Sequence, residues 1–319
     1  MGILRSFVSR KLILPSIQNP LGALPARFRR SRVLIVGCGD VGQRCARILK
    51  HARVMALTSS PDKRAGLRAL GVVPVMGNLD QAVSLSRFAG IATHVLHLAP
   101  PLANGGVVDL RTQALLRRLL VRGLPRALVY GSTSGVYGDC AGAVVTELRP
   151  RHAQTPRAQL RVDAENLILQ FGRITGTRSC VMRIPGIYAP NREGGTPQAR
   201  LERGTPVLVP EDDVYTNHIH ADDLARACVL ALWRAKAHGV YNVNDDTQLK
   251  MGDYFDLAAD IYGLPRPPRV VRAEAAGHLT PLTLSFMTES RRMNNQRVKR
   301  DLGLRLRYPT VAQGLIARF

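Results

Sequence analysis

Val33-Leu34-Ile35-Val36-Gly37-Cys38-Gly39-Asp40-Val41-Gly42 is the stretch that decides the fold. An apolar run rich in β-branched residues stops at Gly37, and from Val41 to Lys50 apolar residues recur at the three-to-four spacing of a helix. A strand that turns through Gly-x-Gly-x-x-Gly directly into a helix opens a dinucleotide-binding βαβ unit. The first glycine allows the tight turn, the second lets backbone approach a diphosphate, and the third lets helix and strand pack closely. Helix N-terminal amides then face the anion. Gly37, Gly39, Asp40, Val41 and Gly42 are therefore cofactor-binding candidates. The carboxylate of Asp40 itself reads as a cap on the helix, since a negative charge is favoured at that end.

Outward from this turn, short β-branched runs alternate with helical periodicity. Strands are expected at 54–57, 72–75, 94–98, 127–130 and 180–184, and helices at 62–70, 81–88, 107–121 and 158–171. This alternation implies parallel strands joined by right-handed crossovers, a Rossmann-type doubly wound α/β sheet. Past Pro185 the texture changes, with Pro190, Gly194, Gly195, Pro197, Gly204, Pro206 and Pro210 breaking any long element, as in loops that shape a cleft. Helical patterns return at 221–235 and 251–262. The organisation expected is a basic N-terminal extension over 1–30, a dinucleotide-binding domain over 31–185, and a mixed segment over 186–319 that forms a smaller C-terminal substrate lobe and completes the sheet.

The chain has 319 residues, 45 Lys and Arg against 23 Asp and Glu, and five scattered cysteines without a Cys-x-x-Cys pair. The cysteine pattern reads as buried reduced thiols in a cytoplasmic protein and holds no metal site. Most of the charge excess lies before Leu160, with 23 basic residues to 6 acidic. No block of Lys and Arg interleaves with aromatics, which make up only 5%, so base-stacking platforms have little to work with and no specific nucleic acid is expected as partner. No run of about 20 uncharged apolar residues is present, so no membrane span is expected. The first 30 residues hold six arginines and lysines and no acid, with Leu12-Ile13-Leu14 broken at once by Pro15. That composition fits a disordered basic tail, an organellar transit peptide or a start codon set upstream of the folded part.

The end of the second strand bears on which nicotinamide cofactor is bound. An NAD site offers a carboxylate there to the ribose 2′-hydroxyl, whereas this chain reads Thr58-Ser59-Ser60-Pro61-Asp62-Lys63-Arg64. Hydroxyls replace the acid, and Lys63 and Arg64 follow where a 2′-phosphate could be met. NADP is favoured and NAD stays possible. The plain alternative is that Lys63 and Arg64 face water in a first helical turn, and Asp62 could still swing to a ribose.

Further motifs line up in order from Arg32 to the C-terminus: His97-Leu98-Ala99 after the fourth strand, Gly131-Ser132-Thr133-Ser134-Gly135-Val136-Tyr137-Gly138 after the fifth, Arg183-Ile184-Pro185-Gly186-Ile187-Tyr188, and His218-Ile219-His220-Ala221-Asp222-Asp223. With them the chain resembles the extended or atypical short-chain dehydrogenase/reductases, the NAD-dependent epimerase/dehydratase family. The resemblance implies that Asn78 and Leu79 border the adenine, that Ala99 and Pro100 border the cofactor, and that Pro185 lies near its nicotinamide end. It also implies a Ser/Thr, Tyr and Lys set, of which Thr133 matches the hydroxyl. Anchored on Glu165, the helix that should carry Tyr-x-x-x-Lys has Arg157 in the Tyr place and Arg161 in the Lys place.

A positioned proton donor is worth about 10²- to 10⁴-fold, so its loss changes the mechanism to be expected. Arg161 could hold a ribose or phosphate but stays protonated. His152, on the loop before that helix, titrates in the right range to replace the acid, and an exposed histidine without a role is its plain alternative. The implied function is an NADP-linked oxidoreductase or epimerase-type enzyme acting on a small hydroxyl- or carbonyl-bearing substrate, as a monomer or homodimer. Its rival is a cofactor-binding scaffold or redox sensor that performs no hydride transfer.

Overall fold

The computed structural model describes residues 30–102 and 106–317. The expected basic extension, apart from Arg30, lies outside the described residues. Seven parallel strands form the central sheet: β1 (Arg32–Val36), β2 (Arg53–Thr58), β3 (Val73–Met76), β4 (His94–His97), β5 (Ala127–Thr133), β6 (Arg178–Ile184) and β7 (Gly239–Asn242). Their spatial order is β3-β2-β1-β4-β5-β6-β7, so the expected Rossmann-type doubly wound sheet is present. The chain runs outward from β1 to β3 and returns on the other side at β4. The switch point, where such sheets bind their ligands, therefore lies at the C-terminal ends of β1 and β4.

Residue alternation explains why helices cover both faces. Val33 and Ile35 point to one side, into a core with Cys45 and Ala46 of α1 (Asp40–Ile48) and Leu224, Cys228 and Leu232 of α5 (Ala221–Arg234). Between these two in the chain come α2 (Lys63–Ala69), α3 (Leu110–Leu119) and α4 (Pro156–Thr175). Leu34 and Val36 point to the opposite side, toward Leu115 and Leu119 of α3 and Ala164 and Ile168 of α4. Val33, Leu34, Ile35 and Val36 are all fully buried, which is why that strand reads as a continuous apolar run instead of an alternating one.

A separate core gathers Tyr188, Leu201, Val207, Tyr254, Phe255 and Met287 around α6 (Met251–Tyr262), forming the smaller lobe. The short parallel pair Val207–Leu208 with Arg269–Val270 belongs to it, whereas the pair Val144–Val145 with Arg292–Met293 packs in a separate small cluster with Val136, Tyr137 and Cys140. All five cysteines are free and four are buried. Among the described residues no helix is long and apolar enough to cross a membrane.

Several elements differ from expectation in type or extent, among them α4, which runs Pro156–Thr175 against 158–171, and β5, which runs on to Thr133 against 130. The segment read as a helix over 81–88 is a 3₁₀ turn, Ala82–Phe88. Its buried pair, Leu85 and Phe88, stands three residues apart, a spacing that suits three residues per turn as well as 3.6. The helix expected over 107–121 is shorter because Asp109 caps it, accepting from the amides of Arg111 and Thr112 at 3.1 Å each. The third strand is shifted one residue later than its apolar run.

Candidate dinucleotide cleft and active site

The glycine turn closes the C-terminal end of β1. Gly37 has φ +88°, and a Cβ there would lie 2.4 Å from the Ala99 nitrogen, so both conformation and the neighbouring strand end demand glycine. At Gly42 an added Cβ would meet the Gly37 carbonyl at 3.0 Å. Gly39 is different, since nothing lies within 4 Å of where its Cβ would be. That open space above the α1 N-terminus belongs to a cleft of about 320 Å³ that continues over Gly131, Thr133, Arg161 and Pro185. A cradle with fixed glycines beneath and free space over the second one fits a diphosphate on helix amides.

Asp40 does not cap α1, contrary to expectation. Gly39 is the cap residue, without a side-chain bond, and Asp40 is the first helical residue. Its carboxylate turns instead to guanidinium groups, taking Arg44 Nε at 3.0 Å and lying 3.3 Å from Arg192 Nε; charged donors outcompete a backbone amide. Arg44 also reaches Asp222 at 2.5 Å and Asn191 Oδ1 at 2.7 Å. Burial works against the Arg44 charge, but hydrogen bonds to Asp222 and Asp40 outweigh it and hold the group above its ordinary pKa.

At the end of β2, Thr58 Oγ1 donates to the Ser60 carbonyl and accepts from the Ser60 amide, both at 3.2 Å. This folds the hydroxyl-rich segment into a local turn, with Ser59, Lys63 and Arg64 exposed beyond it. The next rim is held by a residue the sequence reading passed over. Arg111 grips Asp80 through Nε and Nη2 at 2.7 and 2.6 Å and donates to the Pro100 carbonyl at 3.1 Å. It thereby ties the Asn78-Leu79-Asp80 loop to Ala99-Pro100. Asn78 turns inward on its own loop, its amide donating to Ser84 Oγ and its Oδ1 accepting from Asp80.

On the opposite side of the cleft Thr133 ends β5, half-buried, its Oγ1 accepting from the Gly135 amide at 3.3 Å. Arg161 projects from α4 into the same cleft, where Nη1 donates to the Gly131 carbonyl at 2.5 Å and approaches the Tyr130 hydroxyl at 3.4 Å. Arg157, one turn earlier, is exposed and sits over the Phe286 ring at 4.7 Å; it is not part of the cleft lining. Neither is His152, whose side chain is exposed while its amide donates to the Val136 carbonyl. Tyr137 faces away from the cleft and donates to Asn242 Oδ1 at 2.6 Å.

Beneath Thr133 lies a buried network invisible to motif reading. Glu165 is fully buried. It accepts from Ser132 Oγ at 2.6 Å, from Arg183 Nε and Nη2 at 3.2 and 2.9 Å, and from Arg151 at 3.3 Å. Burial opposes the Arg183 charge, yet the Glu165 contacts raise its pKa above the ordinary value. Ser132 precedes Thr133, and Glu165 stands one turn after Arg161. The network therefore fixes α4 against β5 and β6, and with them the spacing between the cleft hydroxyl and the cleft guanidinium.

The two histidines of the 218–223 segment serve structure. His220 Nδ1 accepts from the Asp222 amide at 3.2 Å. Asp223 accepts from the amides of Arg307 and Tyr308, bracing the C-terminal segment. His218 is fully desolvated, which brings its pKa down to about 4.

A model of the NAD dependent epimerase/dehydratase family matches residues 33–244. Over 183 residues the chain is 30% identical to a GDP-6-deoxy-D-mannose reductase of Pseudomonas aeruginosa, an alignment covering 52% of this chain and 60% of that protein. The chain thus spans less than two thirds of that relative's length. A solved conserved protein of unknown function from Silicibacter pomeroyi superposes with a TM-score of 0.73 at 30% identity, covering 89% of this chain and 96% of that one. MoeE5, solved in complex with UDP-glucose and NAD, superposes with a TM-score of 0.68 at 20% identity over 89% of this chain and 95% of its own.

Proposed function

Because the chain belongs to the NAD dependent epimerase/dehydratase family, we propose that it is a reductase or epimerase-type enzyme that binds NADP in preference to NAD and acts on a hydroxyl- or carbonyl-bearing substrate, with nucleotide-linked sugars the first class to screen. The observation that carries this reading is the single cleft that joins the open space over Gly39 to Thr133, Arg161 and Pro185. The amides of Asp40 and Val41 at the α1 N-terminus hold the diphosphate. Thr58, Ser59, Ser60, Lys63 and Arg64 receive the 2′-phosphorylated ribose, and Asn78, Leu79, Ala99 and Pro100 wall the adenine side, with Pro185 at the nicotinamide end.

The bound reduced dinucleotide supplies a hydride. Thr133 donates a hydrogen bond to the substrate oxygen as it gains charge, and preorganised donors of this kind are the larger part of such catalysis. Arg161 adds positive charge but no transferable proton. The proton that converts alkoxide to alcohol comes from water, since His152 lies outside the cleft lining. Support for the nucleotide-sugar class comes from the relatives, of which one is a reductase of a GDP-linked deoxy sugar and another was solved with UDP-glucose.

One observation favours the rival reading of a non-catalytic NADP-binding scaffold. Arg161 is already engaged with Gly131 and Tyr130, and anchoring the family motif on Glu165 sets Arg157 and Arg161 in the Tyr and Lys places. Loss of NADPH fluorescence over a panel of nucleotide-linked keto sugars separates the two. Turnover with any member supports the enzyme; tight NADPH binding without turnover across the panel supports the scaffold.

A further inference from the structure

We propose that Arg192, brought to the cleft by the loop after the Gly186–Tyr188 strand, is the cation that receives the dinucleotide's diphosphate and offsets the like charge of Asp40 at the helix terminus; this rests on the dinucleotide reading above. Arg192 and the glycine turn line the same cleft. Its Nη1 donates to the Ile187 carbonyl at 2.8 Å, and its side chain keeps 30% of its surface exposed.

The loop that carries Arg192 is already shaped. The Ala189 amide donates to the Gly195 carbonyl at 3.1 Å, Arg192 to Ala189 at 3.2 Å and Gly195 to Arg192 at 2.9 Å. A Cβ at Gly195 would strike the Ala189 carbonyl at 2.6 Å. Asn191 is pinned from below by Arg44. The guanidinium therefore reaches the glycine turn from a closed, anchored loop, so little ordering is left to oppose binding.

Electrostatics says why the cation is needed. The α1 N-terminus attracts an anion, but Asp40 places a carboxylate at that same terminus and would repel one. Arg44 occupies one oxygen of Asp40, yet it is buried and already committed to Asp222 and Asn191. Arg192, 3.3 Å from the other oxygen and open to the cleft, can be shared between the carboxylate and an arriving diphosphate. The cofactor would thus touch a loop from the lobe side of the cleft as well as the glycine turn, linking dinucleotide binding to the chain that leads into the smaller lobe.

The test is calorimetric titration of the full chain with ADP-ribose, comparing wild type, Arg192→Ala, Arg192→Lys and Asp40→Asn, with a thermal melt of each to confirm folding. Arg192→Ala is expected to weaken ADP-ribose by about tenfold to a hundredfold, the loss of a charge-assisted contact. Arg192→Lys should recover part of it, and Asp40→Asn should bind no more weakly than wild type because it removes a like charge. Unchanged affinity in Arg192→Ala overturns the proposal. So does a parallel loss in Arg192→Ala and Asp40→Asn, which would make the pair a structural clasp. Wild type that binds neither ADP-ribose nor NADPH refutes the dinucleotide reading itself.

Discussion

Gly37 and Gly39, two residues apart in one turn, should respond to substitution in opposite ways. Gly37→Ala puts a Cβ 2.4 Å from the Ala99 nitrogen at φ +88°. A left-handed conformation costs an L-residue about 1–2 kcal/mol, and overpacking adds about 1–3 kcal/mol. The sum, roughly 2–5 kcal/mol, is a large part of a domain's usual stability. Gly39→Val meets open space, and the backbone there has φ −80° and ψ −154°, an extended conformation open to any residue. Its cost should be no more than about 1 kcal/mol, that of a poorer helix cap.

Ligand response should reverse the order of damage. NADPH at 100 times its Kd stabilises a binding-competent fold by about 2.7 kcal/mol, or about 4 to 5 °C in Tm for a chain of this size. Gly39→Val should melt near wild type and lose that shift, because its side chain occupies the diphosphate's place. Thermal melts with and without NADPH read both quantities. A retained shift in Gly39→Val would put the phosphate site elsewhere, and a melt as damaged as that of Gly37→Ala would mean the space over Gly39 is not free.

Replacing Lys63 and Arg64 together by Ala should weaken NADPH about tenfold and leave NADH unchanged; calorimetry that finds the two cofactors equally tight in wild type would defeat the NADP assignment. Glu165→Gln leaves Arg183, 4% exposed, without its charge partner. Breaking a buried pair costs about 3–5 kcal/mol, so a urea midpoint close to wild type would show the network to be dispensable. Burial lowers the pKa of His97 to about 3 and of His218 to about 4, against 6.5 for the free side chain. The unfolded chain then binds protons that the native one does not. The stability this gives is full above pH about 6.5 and is lost as pH falls, by about 2 kcal/mol per histidine between pH 7 and 5. His218→Phe should flatten the fall in Tm over that range, and an unaltered slope would contradict neutral burial.

Much of the fold could be read because its signals are local. The β1 run, the glycine turn and the α1 period lie within about twenty consecutive residues, and each repeats a rule that backbone geometry imposes. Elements went astray where the deciding contact was a side chain, as where Asp109 truncates α3, or where one spacing suits two helix types, as at Leu85 and Phe88. The glycine-turn residues that line the cleft could be named from the motif, but the contacts that hold the surrounding elements could not. Arg44 meets Asp222 across 178 residues, and Glu165 joins Ser132 across 33. An arginine-rich chain gives no sign of which guanidinium finds a buried acid. Asp40 was misread although one partner, Arg44, stands four residues on in α1; the other, Arg192, comes from a distant loop.

The most direct test of the proposed hydride transfer is single-turnover NADPH oxidation. The substrate is whichever nucleotide-linked keto sugar the panel identifies, and the comparison is wild type against Thr133→Ala and Arg157→Lys. A lost transition-state donor costs about 10²- to 10³-fold, so Thr133→Ala should slow the chemical step by that order with NADPH still bound. Arg157→Lys should keep most of the rate, since Arg157 lies over Phe286 outside the cleft lining. Unchanged chemistry in Thr133→Ala would remove the hydroxyl from the mechanism, and no oxidation by wild type with any member of the panel would contradict the enzyme reading altogether.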